Sequence, residues 1–185
     1  MVLSLSAIGF LIGVAACVLR IFSLLPAQKS SGRTRLSDNT SGTRKLAVFL
    51  GSGGHTSEAI ALLSSLDYAR FSSRIYIVSD GDTLSTQKAK DLEYKKCASL
   101  SEQNPFADVL ILNGPGTCLS LCIPIYVNKF IGLPVPKLIY VESFARVHSL
   151  SLSGKLLRPL VDRFVVQWPQ PLTDGGRGDC FGWLV

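Results

Sequence analysis

Three hydrophobic patterns follow one another along this chain. From Val2 to Leu19 there is no charged residue, and Arg20 is the only one before Pro26. At about 1.5 Å per residue that stretch crosses about 30 Å of hydrocarbon once, which predicts a transmembrane anchor over residues 1–26. Residues 27–44 are rich in Ser, Gly, Thr, Arg and Asn with hardly any large apolar side chain, so they cannot bury a core and read as a flexible basic linker. From Lys45 onward short apolar runs alternate with longer helical ones. They predict strands over 45–50, 74–79, 107–113, 137–141 and 163–166, and helices over 55–66, 84–97, 117–130 and 149–160. Residues 181–185 are a further strand or a docking tail. Apolar strands alternating with helices imply an α/β fold, a Rossmann-like parallel sheet covered on both faces. The helix over 84–97 with its short joins is long enough for a right-handed connection from the second strand to the third.

Anchor and linker set aside, residues 45–185 make one domain. The net charge of +6 is concentrated beside the anchor: Arg20, Lys29, Arg33, Arg35, Arg44 and Lys45 stand against Asp38, and nothing basic precedes the span. Positive residues stay on the cytosolic side, so the domain is expected in the cytosol, with its surplus charge facing anionic lipid headgroups. No basic patch is interleaved with aromatics, and no nucleic-acid partner is expected. A secretory signal is the rival for the first residues, but it lacks a basic start and the apolar run is long for one. Val14-Ala15-Ala16-Cys17 resembles a lipoprotein cleavage site and lacks the same start. The five cysteines are odd in number, and the only close pair is Cys118-x-x-x-Cys122 on a helix, which indicates neither a disulfide framework nor a metal site. A cytosolic location silences both the sequon Asn39-Thr40-Ser41 and the tripeptide Arg177-Gly178-Asp179.

Gly51-Ser52-Gly53-Gly54 follows a strand and opens a helix with His55 and Thr56. Such a turn offers backbone N–H groups and the positive end of a helix dipole to an anion. It starts like a dinucleotide fingerprint, and Asp80 after the second strand is placed to hold a ribose, but Thr56 stands where the third glycine belongs. There is also no Tyr-x-x-x-Lys pair and no P-loop ending, so no cofactor is expected. A membrane-anchored nucleotide-binding oxidoreductase and a membrane scaffold without a ligand site are the alternatives. A second loop, Asn113-Gly114-Pro115-Gly116-Thr117, again joins strand to helix, and two loops in one crevice suit a diphosphate. Glu142 closes an apolar strand, where a buried carboxylate needs a partner, Arg146 being the simplest. His148 reads as surface or capping, and Asp80 and Asp82 as parts of an ordinary turn.

Gly51-Ser52-Gly53-Gly54-His55-Thr56, Asn113-Gly114-Pro115-Gly116-Thr117-Cys118, Val141-Glu142-Ser143-Phe144-Ala145-Arg146 and Val166-Gln167-Trp168-Pro169 together resemble a family. It is the membrane-anchor subunit of the N-acetylglucosaminyltransferase that extends dolichol-diphosphate-GlcNAc at the endoplasmic reticulum. The resemblance covers the anchor, residues 46–93 and residues 107–171. It implies one half of a GT-B glycosyltransferase, active only with a soluble subunit that binds UDP-GlcNAc, on the cytosolic face of the endoplasmic reticulum membrane. It also implies that Gly51, Ser52, Gly53, Gly54, His55, Thr56, Asn113, Gly114, Gly116 and Thr117 cradle the diphosphate of the lipid-linked acceptor, with Glu142 near the acceptor sugar. Sugar transfer needs a general base, and His55 and Glu142 are the candidates. For His55 a plain backbone hydrogen bond at the helix start stays open beside a ligand contact. Trp183, Leu184 and Val185 form an apolar end suited to contact with the partner subunit. The chain departs from the family between 98 and 106, where relatives carry an edge strand and a long apolar crossover.

Overall fold

The structure, a computed structural model, describes residues 2–26, 43–96 and 107–184. The apolar N-terminus is one helix, α1 (Val2–Leu24), and its stretch Ala7–Leu24 is long and apolar enough to cross a membrane, with none of it buried in the protein. Most of the linker, 27–42, lies outside the described residues, as do Cys97 and Val185. The domain begins with β1 (Lys45–Leu50) and α2 (Gly54–Ser64), then β2 (Ser73–Val78) and α3 (Thr83–Lys95). It goes on through β3 (Val109–Asn113), α4 (Thr117–Phe130), β4 (Lys137–Val141), α5 (Leu152–Leu157), β5 (Arg163–Val166) and β6 (Asp179–Cys180).

All six strands pair in parallel in the order β2-β1-β3-β4-β5-β6, the expected Rossmann-like sheet. Two residues of β6 carry no readable pattern, and 181–184 leave the sheet as a tail. α5 starts later than predicted because Ser151 caps it, its hydroxyl accepting from the Gly154 N–H at 2.9 Å, and it ends earlier, two residues before Pro159.

Alternation along the strands sends side chains to two cores. Ala47, Phe49, Leu110, Leu112, Tyr140 and Phe164 meet Cys118 and Cys122 of α4 and Leu157 of α5 on one face. Leu46, Val48, Leu50, Val109 and Ile111 meet Ala59 and Leu63 of α2 and Ala89 and Leu92 of α3 on the other. This placement corrects the expected right-handed crossover. The chain moves one way along the sheet from β1 to β2 and the opposite way from β2 to β3, so right-handed connections put their helices on opposite faces. Instead α3 lies beside α2. The physical reason is packing: Ala89 and Leu92, the buried side of α3, join Ala59 and Leu63 of α2 in one core. On the other face Ala47, Ile75, Ile77, Leu110, Leu121 and Ile125 line a groove of about 800 Å³.

Candidate anion-binding crevice

The sheet order reverses between β1 and β3, and ligands bind outside the carboxyl ends of strands at such a point. The two Gly loops leave from these two strands. They also touch: a Cβ on Gly51 would stand 2.9 Å from Pro115 Cδ and 3.0 Å from His55 Cβ. Gly114 has φ 130°, and a Cβ there would meet His55 Cγ at 3.0 Å. Both positions therefore require glycine, and the His55 ring sits clamped between the loops. Gly53, at φ 66°, makes the turn into α2.

Each loop ends at a helix whose first N–H groups take no side-chain cap among the described residues, with Gly53 before α2 and Gly116 before α4. Ser52, Gly53, Gly54, Gly116 and Thr117 are exposed there. Two buried polar atoms beside the loops, His55 Nδ1 and Asn113 Oδ1, are unpartnered among the described residues. Asn113 is itself 1% exposed, and such a group costs free energy until something hydrogen-bonds to it. Thr56 is different: its buried hydroxyl donates to the Gly51 carbonyl and meets Ser85 Oγ at 2.6 Å, so its side chain holds the loop instead of facing a ligand.

Glu142 stands at the end of β4 as expected, and it is 2% exposed. Its carboxylate accepts from the N–H groups of Ser143 and Ser151, both at 3.0 Å, and from Ser151 Oγ at 2.9 Å. These donors, not Arg146, satisfy it. Gly154 seals the far side, since a Cβ there would collide with Glu142 Oε2. The Tyr140 hydroxyl donates to the Gly114 carbonyl at 3.1 Å and lies 3.4 Å from Ser151 Oγ, which links the second loop to Glu142. Burial, then the Glu142 charge, raises the Tyr140 phenol above its ordinary range, so it stays a donor.

Glu58, overlooked in the sequence, organises the crevice. Its carboxylate accepts from Ser143 Oγ at 2.8 Å, Asn113 Nδ2 at 3.2 Å and the Phe144 N–H at 3.3 Å, joining α2 to β3 and to the loop after β4. The available signal was the lone acid of its helix, one turn after His55 and just before an apolar run. Of the other polar candidates, Asp82 caps α3 by accepting from the Ser85 N–H at 3.0 Å, and His148 is exposed. In the Arg177-Gly178-Asp179 stretch, Asp179 pairs with Arg163 at 3.0 Å and a Cβ on Gly178 would strike Leu172, so the tripeptide is built into the fold. Burial pushes the Cys118 and Cys122 thiols up to about 12 and about 11, which leaves them inert core residues. No metal-ligand cluster occurs among the described residues.

The tail folds over the ends of β4 and β5. Trp183 meets Phe144 and Trp168 edge-on with ring centroids 5.8 Å away, yet remains 72% exposed, and Phe181 beside it is 57% exposed. The Leu184 N–H donates to Gln167 Oε1 at 3.1 Å and its side chain packs on the α2/α3 core.

The family model described as "Oligosaccharide biosynthesis protein Alg14 like" matches residues 46–103 and 95–183. The chain is 40% identical over 209 residues to "UDP-N-acetylglucosamine transferase subunit ALG14" of Cryptococcus neoformans, with 89% of this chain and 90% of that protein covered. It is 41% identical to the subunit of that name in Schizosaccharomyces pombe (75% and 82% covered) and 30% identical to that of Homo sapiens (82% and 84% covered). An alignment of 209 positions exceeds the 185 residues present, so the fungal relative carries positions this chain lacks, and the family match breaks in two at the shortened stretch. No solved structure matches.

Proposed function

Because the chain belongs to the family of Alg14-like oligosaccharide biosynthesis proteins, we propose that it is the membrane-anchored, acceptor-binding half of a UDP-N-acetylglucosamine transferase. The acceptor is GlcNAc-diphosphate-dolichol on the cytosolic face of the endoplasmic reticulum, and a soluble partner subunit brings UDP-GlcNAc. The observation that carries this reading is the meeting of two uncapped Gly loops around His55 at the sheet's switch point, with Asn113 Oδ1 and His55 Nδ1 unpartnered beside them. Two helix N-termini facing one crevice suit the two phosphates of a diphosphate.

In the transfer the acceptor hydroxyl oxygen bonds to the anomeric carbon of the donor sugar. The bond from that carbon to UDP breaks, and the hydroxyl proton passes to a base. Geometry favours His55 for that base over Glu142, whose carboxylate is already filled by three donors. Glu142 then acts as a positioning residue, holding the start of α5 and, through Ser151 and Tyr140, the Gly114 carbonyl. Phe181 and Trp183 are the exposed apolar anchors for the partner, while the inward turn of Leu184 gives it a role in seating the tail.

Membranes holding this chain and the soluble subunit are expected to transfer GlcNAc to the lipid-linked acceptor, and neither chain alone does. Gly114→Ala forces a side chain into a positive-φ site against His55, about 2 kcal/mol of strain, and is expected to slow transfer about 30-fold while the partner still co-purifies. Full activity in Gly114→Ala would leave the chain a recruiting scaffold.

A further inference from the structure

The outward side of α4 is built for a non-aqueous neighbour. From Thr117 to Pro136 the sequence holds no acidic residue, and Lys129 is its only charge. Cys118 and Cys122 fill the core below the helix, yet Ile123, Val127 and, just past its end, Ile131 are 61%, 55% and 63% exposed. A helix that buries one apolar side in the core and exposes large apolar residues on the other belongs against a protein or lipid. α5, on the same face of the sheet, also turns Leu152 and Leu156 outward with Lys155 between them.

Continuity with the anchor identifies the neighbour. Lys129 Nζ donates to the Leu24 carbonyl at 2.8 Å and Arg20 to the Phe130 carbonyl at 3.5 Å, so α4 ends where α1 leaves the membrane. Ile21 and Leu24 of α1 and Leu119, Ile123, Val127 and Phe130 of α4 line an open apolar groove of about 420 Å³, suited to an acyl chain. Arg20 and Lys129 meet at this junction, and the sequence just after α1 is basic, the charge that anionic headgroups attract.

We propose that α4 and the connection after it lie in the membrane surface, with Ile123, Val127 and Ile131 at the boundary of headgroups and acyl chains. The domain is then held by two contacts, α1 across the bilayer and α4 along it. α4 opens at the Gly114–Thr117 loop, so this contact fixes the crevice at the level of the headgroups. The inference rests on α1 crossing the membrane and not on the identity of the acceptor.

The test places benzoylphenylalanine at Phe130, Val127 or Ile131 of the full chain in phospholipid nanodiscs, together with the soluble subunit, and reads photo-adducts by mass spectrometry. Tyr94, 87% exposed on α3 across the sheet, is the control. At least tenfold more lipid adduct at Val127 and Ile131 than at Tyr94 is expected. The Phe130 probe replaces one aromatic ring by another, which keeps the test valid if a probe elsewhere disturbs folding. Equal adducts at all positions would show that α4 faces water, and protein adducts at Val127 would assign the face to a partner; either overturns the proposal. Sugar transfer is not read, so a wrong acceptor assignment leaves the result intact.

Discussion

α3 and α4 have 13 and 14 residues and cover opposite faces of one sheet, yet the exposed side of α3 is rich in charge and that of α4 is not. α3 turns Gln87, Lys90, Asp91 and Lys95 to solvent, with Gln87 donating to Asp91 at 2.9 Å one turn on. α4 turns out Ile123 and Val127. Their starts differ as well: Asp82 caps α3 and Ser151 caps α5, whereas α2 and α4, the two helices at the switch point, follow glycines without side-chain caps. Side chains close two of these helix starts and leave the two at the switch point without a side-chain cap. The comparison extends inward, because the α4/α5 face is held by apolar packing and the α2/α3 face also by a charged network.

The largest expected effect lies on the apolar face. Phe164, 1% exposed, stacks on Tyr140 with centroids 5.5 Å apart and planes 16° apart. Phe164→Ala removes that ring from a core that cannot close over it, at a cost of about 4 kcal/mol. Urea unfolding of the full chain in micelles should show this loss unchanged between low and high salt. A loss under about 1 kcal/mol would contradict the packing of this face.

On the other face Glu93 of α3 accepts from Arg74 Nε at 2.7 Å, Arg74 Nη2 at 2.8 Å and Tyr76 Oη at 2.6 Å. The Arg74 side chain is 5% exposed, so Glu93→Ala leaves a buried guanidinium without its counter-ion. About 3 kcal/mol of lost stability is expected in the same unfolding experiment, less than for Phe164→Ala. A value near that of a surface pair, under about 1 kcal/mol, would mean that the two faces do not differ in kind.

The parts of this molecule that local pattern controls were legible in its sequence. The apolar runs at 45–50 and 107–113 and the Gly-rich turns after them located β1, β3 and the two loops that follow these strands, because strand alternation and glycine turns are written in consecutive residues. The side of the sheet taken by α3 was not legible, since its own residues show which side of the helix is apolar and not which face of the sheet it covers. The roles of Glu142 and Thr56 turned on which way a side chain points, and that is decided by Ser151 and Ser85, partners nine and 29 residues away. Glu58 escaped notice for the same reason: its three partners come from β3 and the loop after β4.

Acid gives the smallest effect and the sharpest contrast between the faces. Burial pushes the Glu93 carboxyl up, but hydrogen bonds from Arg74 and Tyr76 outweigh it and hold the group below the ordinary carboxylate range. The folded chain therefore binds this proton more weakly than the unfolded one, whose value is about 4.3. The contribution of Glu93 is complete above that unfolded value and disappears as pH falls through the lower folded value. Between pH 7 and 5 the gap in unfolding free energy between the native chain and Glu93→Gln should stay constant. Below about pH 4 it should narrow, by at most about 1.4 kcal/mol per pH unit. Asp82 and Asp174, whose carboxyls are also held low, shift both chains alike and cancel in that difference. The gap between the native chain and Phe164→Ala has no titrating group behind it and should not move. A Glu93→Gln gap that persists to the lowest pH would mean that hydrogen bonding without charge holds α3 to β2, and the two faces would then differ in surface alone.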